Sequence, residues 1–294
     1  MTIAISFCYQ KIVKINLDTF ISSNINCTLA NMKFTQILLF CLFSAVGIAQ
    51  NSNKNIVLQD SLSIIADDYI GIDAYSNHYF VKDNNFFKIN KQDNWQNKNL
   101  SLGKISKIDI SNPLKIILFY QNFNTVVALD NQLNEVEKIN FSATLPELNV
   151  AAIGMSGNNN FWVFNDLNQQ LGLYNFVKNS YLKIGLPFVN SLKTYHSDFN
   201  YFYWIDNNNA LYDCDVFGKI TLLAKIPDYD IVFIANEKSV LFNKNNELFY
   251  FDVVLNKTIF LKNVDKTMKS FYLKDQKLVI FTTNGITQYK INLP

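Results

Sequence analysis

The chain reads as an all-β protein: a single β-propeller, most simply of six four-stranded blades closed by an N-terminal strand. Three observations predict this. One hairpin pattern recurs six times at a spacing near 40 residues. Short apolar runs flank each copy. No stretch repeats its apolar residues at the helical period.

The first element is a targeting segment. Residues 32–49 join a basic start, Met32-Lys33, to an apolar run from Ile37 to Val46 and a small-residue exit, Gly47-Ile48-Ala49. This is the pattern of a secretory signal peptide cut before Gln50. The run is short of the roughly 20 residues that a membrane-spanning helix needs. Cys41 lies inside the apolar run, behind Leu39-Phe40, so it is a poor lipidation site. A signal peptide works at a terminus, so translation is expected to begin at Met32, with residues 1–31 a non-native extension upstream. Residues 50–294 are the propeller domain.

Asn55-Ile56-Val57-Leu58-Gln59 is an orphan strand-like segment, placed to complete the last blade. The six hairpins follow at 78–90, 115–131, 160–175, 201–215, 239–252 and 277–292. The residues before their turns are Phe80, Phe119, Phe164, Trp204, Phe242 and Phe281, spaced by 39, 45, 40, 38 and 39. Aromatic and β-branched residues alternate with polar ones around turns rich in Asn and Asp. An apolar run precedes each hairpin, for example Ile105–Ile110 and Val150–Ile153, and a weaker run follows most of them, for example Val136–Ile139. The last hairpin ends with no outer strand of its own. Five or seven blades, a β-sandwich and an open β-solenoid are the alternatives; the sandwich leaves the period unexplained.

Composition narrows the function. The chain carries 26 Lys and no Arg, 24 acidic residues, and a net charge of +2. Removing residues 1–49 takes away Lys11, Lys14, Lys33 and Asp18 and leaves 23 charges of each sign. Neither a basic patch nor a guanidinium fork offers itself to nucleic acid. Of four Cys, only Cys214 follows Gln50, which excludes an intrachain disulfide and a Cys-based zinc site. The 41 Asn against 9 Gly suit turns, because Asn tolerates the left-handed region.

The stretches ISNPLKIILFYQNFNTVVALDNQLNEVEKI and FWVFNDLNQQLGLYN resemble a family of uncharacterised exported β-propeller-like proteins of Bacteroidota. The resemblance covers most of residues 55–293 and implies a propeller fold, with no established activity to carry over. The repeated Trp-Asp dipeptide and the Gly-rich docking motif of quinone-dependent propellers are missing. Outer-membrane assembly scaffold propellers are similar at the level of fold alone.

No catalytic, cofactor or metal motif emerges. The two His, His78 and His196, sit beside aromatic strand positions and read as structural or solvent-exposed. Gly154-Met155-Ser156-Gly157 looks like a nucleophile turn but falls at the inner hairpin of the third unit, without a following helix. The Asn/Asp turns lack calcium-loop spacing. Asp73 and Asp109 end inner strands, where a lactonase would gather acidic ligands. The matching places elsewhere hold Ala152, Thr194, Ala235 and Lys274, a poor set.

Two apolar residues at polar hairpin tips remain. Phe123, next to Asn122, and Leu167, next to Asp166, occupy the two longest turns. The sequence thus points to an exported, non-catalytic propeller that binds or scaffolds another envelope protein or peptide, in the periplasm, at the outer membrane or outside the cell. The alternatives are a metal-assisted hydrolase or lactonase at the channel mouth, and a glycan-binding module.

Overall fold

The computed structural model describes residues 56–274 and 276–293. The signal segment 32–49, the extension 1–31 and Asn55 lie outside the described residues.

The described residues form six antiparallel four-stranded sheets, the blades of a β-propeller. Blade 1 contains β2 (Asp68–Ile72), β3 (His78–Lys82), β4 (Asn85–Ile89) and β5 (Asn94–Asn97). Blade 2 contains β6 (Lys107–Asp109), β7 (Ile116–Tyr120), β8 (Thr125–Leu129) and β9 (Glu135–Asn140). In blade 3 follow β10 (Val150–Ser156), β11 (Asn160–Asn165), β12 (Gln170–Asn175) and β13 (Ser180–Lys183). Blade 4 is built from β14 (Leu192–Ser197), β15 (Tyr201–Asp206), β16 (Ala210–Asp215) and β17 (Ile220–Lys225). Blade 5 has β18 (Ile231–Asn236), β19 (Ser239–Lys244), β20 (Glu247–Asp252) and β21 (Lys257–Phe260).

Blade 6 closes the ring. Its own β22 (Ser270–Lys274), β23 (Lys277–Thr282) and β24 (Gly285–Lys290) are completed by β1 (Val57–Leu62). β1 runs antiparallel on β24, from Val57 opposite Lys290 to Leu62 opposite Ile286. The orphan segment therefore closes the last blade, as its position in the sequence predicts.

Strand formation follows from burial. β7 and β8 are buried at every position, as expected of central strands covered on both faces by neighbouring blades. β1, an outermost strand, is exposed at every position. Side chains pack between blades: Phe164, Phe188, Trp204 and Cys214 fill one such layer between blades 3 and 4. Cross-blade hydrogen bonds add to this packing. Trp162 Nε1 donates to Asp198 O at 2.7 Å, and the Tyr195 hydroxyl donates to Ile153 O at 3.1 Å.

Two expectations need correction. Gly154, Met155 and Ser156 belong to β10; only Gly157 reaches the turn. Gly154 is required by close approach, since a Cβ there would lie 1.9 Å from Ser197 Oγ. The predicted strand Ile105–Ile110 shortens to Lys107–Asp109, where the Asp109 carboxylate accepts from Ser111 N and turns the chain. One helical turn also forms, α1 (Phe141–Thr144), capped by the Asn140 side chain on Ala143 N.

Candidate functional site

In every blade the turn between the second and third strands lies at one end of the ring, and the turn between the first and second at the other. Phe123 and Leu167 sit at the same end, on neighbouring blades. Their connections hold four residues each, against two or three in the other blades. Phe123 ends a 3-10 turn, Gln121–Phe123, stopped by Asn124 at φ 47°. Its ring edge lies 3.4 Å from where a Cβ on Gly103 would stand, so it leans on the blade 1–2 connection while staying 47% exposed. Leu167 is 68% exposed. Asn122 and Asp166 are exposed beside them, and Asp166 accepts from Gln169 Nε2.

Leu167 borders a larger apolar surface that the sequence did not disclose. The connection from β13 to β14 crosses the Leu167 turn, held by Phe188 N on Gln169 O at 2.7 Å and by Gln170 Nε2 on Gly185 O at 2.9 Å. This connection presents Leu186 at 76% and Val189 at 97% exposure. Between them opens a recess of about 200 Å³. Its floor is the Phe188 ring stacked on Trp204 at 4.0 Å, with Tyr212 and Ile220 on the far wall. The blade 4 turn that carries Phe217, 90% exposed, abuts the same connection: a Cβ on Gly218 would lie 2.4 Å from Gly185 N. Phe188 buries itself to make the floor, which leaves its neighbours pointing outward. No sequence period marks such a loop; its one signal is Leu186-Pro187-Phe188-Val189, an apolar run where a polar connection is expected.

The second feature is the central channel. Two chambers of about 280 Å³ each share Ile70, Lys107, Ile108, Phe233 and Tyr272 as a waist. One chamber adds Asp109, His196, Asp198, Ala235 and Lys274. Lys107 Nζ lies 4.9 Å from the centre of the Tyr195 ring. Burial lowers the Lys107 pKa, and the Asp109 and Asp68 carboxylates oppose that shift. Burial, with the nearby Lys107 charge, brings His196 down to about 4, so its imidazole is neutral at pH 7. The Phe233 ring packs 5.9 Å from His196 and 5.2 Å from Tyr272.

Asp73 does not join this set. Burial alone would raise its pKa, but bonds from Asn77 N and Nδ2, Tyr79 Oη and Tyr75 N outweigh it and hold the pKa low. Its carboxylate is consumed in the β2–β3 turn. Asp109 faces the channel, but its oxygens already accept from Ser111 N and Met155 N. Ala152 is buried in the blade 3–4 layer, whereas Ala235 and Lys274 line the channel. Among the described residues no three His, Cys, Asp or Glu side chains gather where they could hold a metal. His78 is buried in blade 1, with Tyr69 Oη 3.0 Å from its Nδ1. His196, read from the sequence as structural or exposed, belongs to the channel wall. The signal for it was the position of β14 as an inner strand.

Neither a family model nor a curated protein sequence matches the chain. Solved structures do. The chain is similar to streptogramin B lyase, at 12% identity and a TM-score of 0.54, over 81% of this chain and 98% of that one. It is similar to a catalytically inactive virginiamycin B lyase from Staphylococcus aureus with quinupristin, at 14% identity and a TM-score of 0.50, over 80% and 88%. The Cps50 (Swd1) β-propeller domain of Myceliophteria thermophila aligns at 9% identity and a TM-score of 0.53, over 81% and 100%. At these identities the likeness is one of fold: the chain is a β-propeller. No helix among the described residues is long and apolar enough to cross a membrane.

Proposed function

We propose that this protein is an exported, non-catalytic propeller that binds or scaffolds another protein or peptide of the cell envelope. The observation that carries the reading is the apolar rim between blades 3 and 4, where Leu186 and Val189 stand exposed beside an aromatic-floored recess and Phe217 stands exposed on the turn that abuts the same connection. Scattered exposed apolar residues are ordinary; a group of them around a concave apolar floor marks an interaction surface. Burying one such side chain in a partner contributes roughly 1.5–3 kcal/mol, enough for an anchor. Leu167 with Asp166, on the turn that the connection crosses, extends this surface; Phe123 with Asn122 stands at the same end of the ring on the neighbouring blade. Export rests on the 32–49 pattern and accords with the resemblance to exported proteins of Bacteroidota. No observation of comparable weight favours the metal-assisted hydrolase or lactonase; among the described residues no three acidic, His or Cys side chains gather as its ligands would.

A photo-crosslinker at position 189 tests the reading in envelope fractions, with captured proteins identified by mass. One protein should be captured at a defined site. The Leu186→Ser, Val189→Ser, Phe217→Ser variant should lose about tenfold in recovery of that protein, with an unchanged melting profile, since surface changes cost little. Phe123→Ser with Leu167→Ser should reduce recovery less. Equal recovery by the folded triple variant removes the rim from consideration. N-terminal sequencing that finds residues 1–31 on the exported protein overturns the processing.

A further inference from the structure

Lys107 projects from the inner strand β6 into the waist of the channel, where it lines both chambers. Among the described residues it forms no ion pair and no side-chain hydrogen bond; its one close partner is the Tyr195 ring. His196, on the inner strand β14 two blades on, lines the same chamber, near enough for the two to interact electrostatically. Its ring nitrogens likewise have no hydrogen-bond partner among the described residues, and its ring contacts are aromatic, with Tyr203 and Phe233.

Both side chains are half-buried on the channel wall, where an ammonium and an imidazole N–H that make no protein hydrogen bond are open to a ligand. The Asp109 and Asp68 carboxylates favour the Lys107 charge, but among the described residues neither forms an ion pair or a hydrogen bond with it. Asp109 is engaged by two backbone N–H groups. Asp198 accepts from Asn200 N, Tyr201 N and the Tyr203 hydroxyl. Asp68 is exposed at the opposite mouth. The waist therefore offers an ammonium, and the adjoining chamber an imidazole N–H, neither with a hydrogen-bond acceptor among the described residues. Beside them stand two aromatic walls, Phe233 and Tyr272, set edge to face.

We propose that the channel waist is a binding site for a small organic carboxylate with a flat apolar body, about the size of benzoate. One carboxylate oxygen accepts from Lys107 Nζ and the other from the His196 ring N–H. The body lies against Phe233 and Tyr272 in the chamber towards Lys274. The charge selects an anion, the two donors select two oxygens, and a chamber of about 280 Å³ sets the size. The site is independent of the rim, which lies on the outer side of blades 3 and 4.

Benzoate, acetate, benzamide and inorganic phosphate serve as probes of the purified protein. The chain has two His, so its ring resonances are assigned with one His78→Gln variant. Benzoate should shift the His196 resonances saturably and raise the pH at which that ring protonates, because a bound anion favours the imidazolium. Acetate should bind at least tenfold more weakly for want of the aromatic contact, and neutral benzamide should not saturate. Lys107→Met should weaken benzoate at least tenfold, while Lys274→Met, at the chamber mouth, should change it less than about threefold. Wild-type protein should unfold at higher urea in benzoate and not in benzamide; this reading stands even if Lys107→Met fails to fold. Absence of a saturable benzoate shift, undiminished binding by folded Lys107→Met, or phosphate binding as tightly as benzoate overturns the proposal.

Discussion

Ten of the fifteen non-glycine residues with positive φ among the described residues are Asn. The left-handed region costs most L-residues about 1–2 kcal/mol, and Asn less. With few Gly available, Asn carries the hairpin tips, as at Asn245-Asn246 between β19 and β20, with φ of 53° and 60°. That is the two-residue turn whose twist matches the flanking strands. Asn246→Ala should lower stability by about 1 kcal/mol and Asn246→Gly should change it by a few tenths. Urea midpoints decide, and equal midpoints for Ala and Gly remove the role given to Asn. These turns were legible because turn chemistry is local. Gly154 was misread because its requirement is not local: the atom that excludes a Cβ belongs to Ser197 on the next blade.

At the scale of the strand, the hairpins were the easiest part to read, since central strands are covered on both faces and show continuous apolar runs. The inner strands were located but not oriented. Which side chains meet in the channel depends on the parity of each inner strand relative to the ring axis, and a register shift of one residue reverses it. β14 shows this, because a bulge between Leu192 and Thr194 intervenes before His196. That strand also carries a pH effect. His196 titrates near 4 in the folded chain, below the ordinary value of about 6.5. The unfolded chain thus binds an extra proton between those values, so stability contributed by the neutral ring is full above about pH 6.5 and falls as pH drops towards 4. Lys107 faces the ring and disfavours its charge, while Asp109 and Asp198 favour it. Between pH 7 and pH 5 wild-type protein should lose about 1–2 kcal/mol more than His196→Gln. Parallel urea curves for the two proteins at both pH values would show that the ring is not buried as described.

At the scale of the whole ring, closure decides whether six hairpins make one protein. Blades 1 to 5 each supply their own outer strand, and blade 6 borrows β1 from the other end of the described chain. The twenty-fourth strand is therefore the place where sequence-distant segments are tied together, from Val57 opposite Lys290 to Leu62 opposite Ile286. β1 itself buries little, since all six of its residues are exposed. Its contribution lies in main-chain hydrogen bonds to β24 and in covering that strand's edge, through which another chain could pair. Gly285 is fitted to this join: a Cβ there would lie 2.3 Å from Leu62 O. Deleting residues 57–62 should therefore leave the inter-blade cores intact while unpairing β24. The shortened protein should melt markedly lower, exchange the β24 amides faster than those of β19, and associate in a concentration-dependent way. Gly285→Val, which crowds β1 off the edge without shortening the chain, should reproduce the exposed β24 amides in milder form. An unchanged melting temperature with protected β24 amides in the shortened protein would mean that the ring holds its last blade without β1.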